Sequence, residues 1–442
     1  MNSLLNSFDQ INTRLDTINP ASLDGKVAQV VGLVIEASLP DGNLGELTEI
    51  HTRSGNIIRA EIVGFRGEHV LLMPLDEIVG ISPGCRVRRS PRPLEVAVGP
   101  QLLGRVLDGL GNPIDGKGPI RTEMRQPVYN VPPSPLTRAR IKDNLITGIR
   151  SIDGLVTLGK GQRVGIFAGS GVGKSVALGM IARYTNAEIN VIALVGERGR
   201  EVREFIERDL GEAGLRRSVV VVATSDQAAM VRIKGALIAT AIAEFFRDQG
   251  MDVMLMMDSL TRVAMAQREI GLAAGEPPTT KGYTPSVFAL LPRLLERAGR
   301  ARTGSITGLY TVLVESDDMD EPIGDASRSI LDGHIVLSRR LATRGHYPAV
   351  DVLESISRLR TEVTTDIQCQ QTQFILEMMA DYRESEDLIN IGAYVAGSNP
   401  KVDRAIKNID AINRFLRQSI DDPAVFQDTL RQLQKIVQEA GK

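Results

Sequence analysis

Tryptophan is absent from this chain, cysteine occurs twice, and aromatic residues make up only 4% of it. Cys85 and Cys369 lie far apart in sequence, so neither a disulfide framework nor a CxxC zinc pattern is present, and a reducing cytosol suits the chain. The four histidines, His51, His69, His334 and His346, are scattered and form no metal motif. Charge of one sign is not in excess either: 52 basic against 54 acidic residues leave a formal net charge of -2. General nucleic-acid binding rests on surplus positive charge, so this balance gives it no support. No apolar run approaches the roughly 18 residues of a membrane span. The amino terminus has no basic start followed by an apolar run, and no secretory signal is expected.

What is present is a chain of 442 residues, 43% hydrophobic, enough for a large core and for two or three domains. Leu4, Phe8, Ile11, Leu15 and Ile18 recur at alternating spacings of four and three, which predicts an amphipathic helix over residues 1–19 with a heptad-like seam. So short a helix is marginal alone and needs a partner, internal or external. Over residues 20–93, short apolar runs such as Val30–Ile35 and His69–Leu72 are separated by turn signals at Pro40-Asp41-Gly42, Ser54-Gly55-Asn56 and Pro83-Gly84. That pattern predicts a small sandwich or barrel. Pro91 and Pro93 mark a linker, and a proline cluster over residues 127–135 precedes the central region.

Residues 94–360 hold the chemistry. Arg163–Ala168, Val191–Val195, Val219–Ala223 and Val253–Met257 are apolar runs without alternation, each joined to the next by a helix-like segment. Strands of this kind belong to a mainly parallel sheet covered on both faces. Residues 361–442 turn helical: Val402, Ile406, Ile409, Ile412 and Leu416 recur at helical spacing, and Pro423 separates them from Val425, Phe426, Leu430, Leu433 and Val437. No internal repeat or low-complexity tract is apparent.

Between a strand and a helix runs Ala168-Gly169-Ser170-Gly171-Val172-Gly173-Lys174-Ser175, followed by Val176. Glycines let backbone N–H groups turn toward phosphate oxygens, and the following helix adds its positive end. In this phosphate-loop pattern Lys174 reaches the β- and γ-phosphates and the Ser175 hydroxyl ligates magnesium. Ala168 stands where the strict pattern has glycine; alanine is the smallest substitute. The loop therefore predicts binding of a nucleoside triphosphate with Mg2+.

Hydrolysis needs further groups. Asp258 closes an apolar strand, where a carboxylate either holds the water shell of the magnesium or caps the next helix. Glu197, in Gly196-Glu197-Arg198, follows another strand at the edge where such sheets bind ligands. By spacing alone it is either the group that orients the attacking water or a solvated loop glutamate. Charge develops on the transferred phosphoryl group and calls for an arginine, and spacing does not choose among Arg198, Arg262, Arg339, Arg344 and Arg358. Tyr347 is either a base-stacking ring or a core tyrosine.

These residues carry a resemblance. Thr147–Asp153, the phosphate loop, Gly196-Glu197-Arg198, Pro348–Asp351 and Ser355–Arg358 resemble the catalytic subunits of F-type and V-type ATPases. Gly275–Phe288 and Leu331–Leu337 narrow the likeness to the ATPases of type III protein secretion, and Asn112–Gly116 with Asn390–Tyr394 and Ala396–Pro400 to those of the bacterial flagellum. The resemblance covers nearly the whole chain. It implies an α/β, RecA-like P-loop NTPase core with a small amino-terminal β-barrel and a carboxy-terminal helical domain. It also implies ATP hydrolysis with Mg2+ that serves protein export, in a homohexamer with its sites at subunit interfaces.

The resemblance assigns Glu197 to water activation with Arg198 beside it, Asp258 to the magnesium shell, Arg358 to an arginine finger for the neighbouring subunit, and Tyr347 to the adenine. Implied partners are a regulatory protein at the amino-terminal helix, a coiled-coil stalk in the ring pore, export chaperones and substrates, and the membrane export gate. The implied location is cytoplasmic, at the inner face of the membrane. No acidic lever motif of the synthase catalytic subunit is present, which argues against ATP synthesis. The competing readings are an injectisome ATPase, an RNA-translocating helicase and a non-catalytic nucleotide-binding subunit. Scarce aromatics speak against the helicase, whose channel stacks bases, and the joint presence of Lys174, Glu197 and Asp258 against the non-catalytic subunit.

Overall fold

The computed structural model describes residues 24–90, 93–314 and 321–441. The helix expected over residues 1–19 lies outside them, as does Pro91 of the expected linker. The described residues fall into two compact units. One holds the residues up to Leu94 together with Ala273–Gly275; the other holds Glu95–Leu272 and the residues from Glu276 onward.

The first unit contains a closed barrel. Its strands are Gly25–Val31, Val34–Ser38, Leu47–His51, Ile57–Arg66, His69–Pro74 and Arg86–Arg89. Alternation sends Ile50, Ile58, Ala60, Ile62 and Val87 inward, where they meet Val27, Ile35, Val70 and Leu72. The run Val30–Ile35, continuous by hydropathy, is split into a hairpin. Gly32 takes φ 59, a left-handed turn conformation that an apolar residue would resist, so hydropathy alone does not reveal the reversal.

The second unit is built on a nine-stranded sheet. From one edge the order is Val350–Ser357, Gly333–Leu337, Arg163–Ala168, Ser305–Leu313, Asp252–Asp258, Ile189–Val195, Ser218–Ala223 and Arg105–Asp108, with Gly299–Arg300 paired onto Ser305–Leu313. All neighbours are parallel except Val350–Ser357 and Gly299–Arg300. Ile189–Val195 and Ser218–Ala223 are buried along their whole length, which is why they read as unbroken apolar runs. Parallel strands deliver their carboxyl ends to a single edge. Ala168, Val195, Asp258, Leu313 and Leu337 all end there.

The carboxy-terminal helices are Asp366–Asn390, Pro400–Leu416 and Phe426–Ala440. Two start on capping side chains: Thr365 accepts from the Gln368 amide and Asn399 from the Lys401 amide, with Pro400 at the first turn of its helix. Their apolar faces do not close on one another alone. Ile375, Ile412, Phe415 and Leu433 share one hydrophobic cluster with Ile152, Leu178, Ile192 and Met256 of the sheet and its helices. Full burial of a side chain of this size contributes about 1.5–3 kcal/mol, so the helical segment and the sheet stabilise each other. No helix among the described residues is long and apolar enough to cross a membrane.

Candidate active site

Strand Arg163–Ala168 runs into the loop, and the loop into helix Lys174–Tyr184. Ala168 is buried, so the departure from glycine puts a methyl group into the core rather than into the loop. Val172 is buried and Val176 packs on the core, while Ser170 and Gly171 are exposed. Gly173 caps the helix at φ 91, and no side chain bonds the first amides. Those donors and the helix dipole remain open for an anion.

The Lys174 ammonium is the centre of the site. Its Nζ donates to Asp258 Oδ1 at 2.5 Å and to Glu197 Oε1 at 3.3 Å. Strand register makes this meeting possible, because Leu194 pairs with Asp258 across neighbouring strands and Glu197 follows three residues on. Asp258 Oδ1 takes a second bond, 2.7 Å from the Thr311 hydroxyl on the strand at its other side.

Charge and burial set the protonation of the cluster. Burial alone would lower the Lys174 pKa, but the Asp258 and Glu197 carboxylates outweigh it and hold the amine above its usual value. Glu197 is pushed up to about 7, by burial first and by the Asp258 charge next, with Lys174 opposing. Glu201, one helical turn on, is held below its usual value by its hydrogen bond with Glu197. A carboxyl group tuned to neutrality beside a lysine and an open helix end can accept a proton from water attacking a bound phosphate.

The remaining residues expected at the site divide. Tyr347 is 46% exposed and not a core tyrosine; its ring edge lies beside Gly173, 3.5 Å from where a Cβ there would sit. The Arg198 side chain is 82% exposed and reaches Glu201 at 3.6 Å, away from Lys174. Arg344 is tied to Glu386 at 2.6 Å. Arg262 lies against Gly196, so close that a Cβ there would meet it at 2.7 Å, and its buried Nε has no hydrogen-bond partner.

Arg358 is not brought to Lys174. Ser357 pairs with Gly333 while Leu337 pairs with Ala168, which puts Arg358 at the opposite edge of the sheet from the loop. The offset is roughly 13 Å along a strand. There its Nη2 donates to the Arg328 carbonyl at 3.2 Å. Sequence reasoning missed two neighbours of the cluster, Thr311 and Glu201. For Glu201 the available signal was a second carboxylate four residues after Glu197; Thr311, one of two threonines in an apolar strand, offers none.

Comparison with known proteins agrees with this fold. Residues 148–357 match the ATP synthase alpha/beta family, nucleotide-binding domain. Residues 27–91 match the beta-barrel domain of the same family, and residues 364–435 the T3SS EscN ATPase C-terminal domain. The chain is 56% identical over 417 residues to a flagellum-specific ATP synthase of Bacillus subtilis, covering 92% of this chain and 94% of the relative. It is 52% identical to a type 3 secretion system ATPase of Xanthomonas euvesicatoria, covering 94% of each. Among solved structures, the assembled ATPase EscN of the enteropathogenic E. coli type III secretion system is similar with a TM-score of 0.89 and 45% identity, over 93% of this chain and 100% of that one. The chain therefore belongs to the ATP synthase alpha/beta family, among the ATPases of flagella and type III secretion, and is a nucleotide-binding, ATP-hydrolysing enzyme.

Proposed function

We propose that this ATPase energises flagellar protein export and that its hydrolytic centre is Lys174, Ser175, Glu197 and Asp258. The observation that carries the reading is the meeting of Lys174 with both carboxylates at the carboxyl edge of the sheet. Lys174 leaves that pair to hold the β- and γ-phosphates, while the amides of Gly169, Ser170, Gly171, Val172 and Gly173 and the first turn through Val176 cradle them. Glu197 takes the proton of the attacking water. The donor set fits Mg2+, a hard cation that keeps several waters and takes few protein oxygens. Ser175 offers a hydroxyl, and among the described residues no protein donor occupies Asp258 Oδ2. Magnesium held by these oxygens would neutralise charge on the phosphates.

Tyr347 stacks on the adenine beside the loop. Arg358 serves the nucleotide of a neighbouring subunit, because its own chain places it at the far edge of the sheet. Arg198, next to Glu197 and exposed, belongs to the same inter-subunit contact. This arrangement requires an oligomer, and a homohexameric ring fits it. Two related solved structures are the assembled ATPase EscN and EscN in complex with its central stalk EscO. They support a coiled-coil stalk as partner here, with a regulatory protein, chaperones, export substrates and the export gate as further partners at the inner face of the membrane. The functional division is a barrel over residues 20–93, an ATPase domain over 94–360 and a helical domain over 361–442. An injectisome role is the second reading, favoured by the Xanthomonas relative.

Replacing Glu197 by Gln tests the centre. Turnover should fall by about 10³-fold or more while ATP binding persists; unchanged turnover removes Glu197 from its role. Loss of motility on Lys174→Ala in the source organism separates flagellar export from virulence secretion.

A further inference from the structure

Thr311 stands on the central strand Ser305–Leu313, 0% exposed, between Tyr310 and Val312. Its backbone is fixed from both sides: Thr311 pairs with Ile166 of the strand that leads into the phosphate loop, and Tyr310 with Met257 of the strand that ends in Asp258. A hydroxyl has a single hydrogen to donate. Two acceptors lie in range, Asp258 Oδ1 at 2.7 Å and the Met257 carbonyl at 3.3 Å. Distance and charge both direct the hydrogen to the carboxylate. The same strand braces the next residues as well, since the Leu313 amide donates to Thr261 Oγ1 at 2.9 Å.

Asp258 Oδ1 thus has two donors of different kinds. Lys174 reaches it on a flexible four-carbon stem and is shared with Glu197. Thr311 reaches it on a short side chain from a strand locked in the sheet. We infer that Thr311 is a positioning residue: its hydrogen bond holds the Asp258 carboxylate in place for the metal–nucleotide complex once Lys174 has turned to the phosphates. This rests on the proposed role of Asp258 in the magnesium shell. Neighbours that orient a metal-shell ligand typically contribute about 10–100-fold in metal affinity.

The test compares binding of a non-hydrolysable ATP analogue to the full-length chain with Mg2+ and with a chelator. For Thr311→Val the gain in affinity given by Mg2+ should shrink about tenfold, with binding in chelator unchanged. Thr311→Ser, which keeps the hydroxyl, should restore the gain, and the Mg2+ concentration for half-maximal hydrolysis should rise in the Val variant alone. A Val variant with the full Mg2+ gain, an equal loss with and without Mg2+, or no rescue by Ser each overturns the inference. If Val prevents folding, Thr311→Cys, with its weaker donor, carries the same comparison. Asp258→Asn separates the two claims. If it loses the Mg2+ gain while Thr311→Val keeps it, only Thr311 is rejected; if it keeps the gain, the assignment of Asp258 itself fails.

Discussion

The ring edge of Tyr347 lies beside Gly173, 3.5 Å from the point where a Cβ of that glycine would be. A half-exposed aromatic ring at the end of a phosphate loop can stack on the base of the nucleotide whose phosphates the loop holds. Base–aromatic stacking is worth about 1–3 kcal/mol, so Tyr347→Ala should weaken ATP binding roughly tenfold with kcat little changed. Tyr347→Phe should bind as the parent does. Calorimetry with tripolyphosphate, which has no base, distinguishes the causes: if its affinity falls as far as that of ATP, Tyr347 shapes the loop rather than the base pocket.

A pH profile follows from Glu197. Its carboxyl group is pushed up to about 7, and only the ionised form accepts a proton. The value of kcat/KM, which reports the free enzyme, should therefore rise with pH to a midpoint near 7. Glu201→Ala removes the hydrogen-bonded neighbour that helps raise Glu197 and should move the midpoint to lower pH. Stability has the opposite pH dependence. The folded-state pKa lies above the unfolded value, so the native state binds the extra proton between about 4.5 and 7 and loses stability as pH rises through that window. Glu197→Gln should accordingly raise Tm relative to the parent at pH 8 and change it much less at pH 5. A midpoint that Glu201→Ala leaves in place would assign the limb to another group.

Much of this centre is legible in the sequence because each part sits next to an unbroken apolar run. The loop follows Arg163–Ala168, Glu197 follows Ile189–Val195 and Asp258 ends Asp252–Asp258, so a parallel sheet necessarily brings their ends together. Thr311 escapes such reading, since one hydroxyl in a buried strand has no spacing signature and its partner is 53 residues away. Spacing leaves Arg262 level with the other arginines, and its contact with Gly196 exists only in the folded chain. The helical periodicity of Val402–Leu416 identifies an apolar face but not its cover. That cover is the sheet's own core, reached through Ile412 and Phe415.

Arg297 and Glu244 form a buried pair at 2.7 Å, 2% and 0% exposed, and Arg297 also donates to the Val128 carbonyl at 2.9 Å. Removing one partner strands a charge in the core, so Arg297→Met should cost about 3–5 kcal/mol. Replacing both, as Arg297→Met with Glu244→Leu, should recover much of that loss. Denaturant unfolding of the two variants measures the difference. A double variant no more stable than the single one would show that the pair holds the 128–130 segment in place rather than only balancing its own charge.

The edge-to-edge separation of Lys174 and Arg358 on one chain leads to a complementation experiment. In the proposed ring, Lys174→Ala chains would lack the phosphate lysine at every site and Arg358→Ala chains the proposed finger; each should hydrolyse ATP at a small fraction of the parent rate, since an arginine finger contributes about 10³–10⁵ in kcat. When the two are mixed, an Arg358→Ala chain keeps an intact Lys174, and a Lys174→Ala neighbour can supply Arg358 to it. Some interfaces then regain both groups, and turnover should rise above either variant alone. If Arg358 acted within its own chain, every chain in the mixture would still lack one group and no recovery would occur. Mass photometry on differently tagged chains establishes that mixed rings form, and the absence of recovery in those rings would rule out a finger acting between subunits.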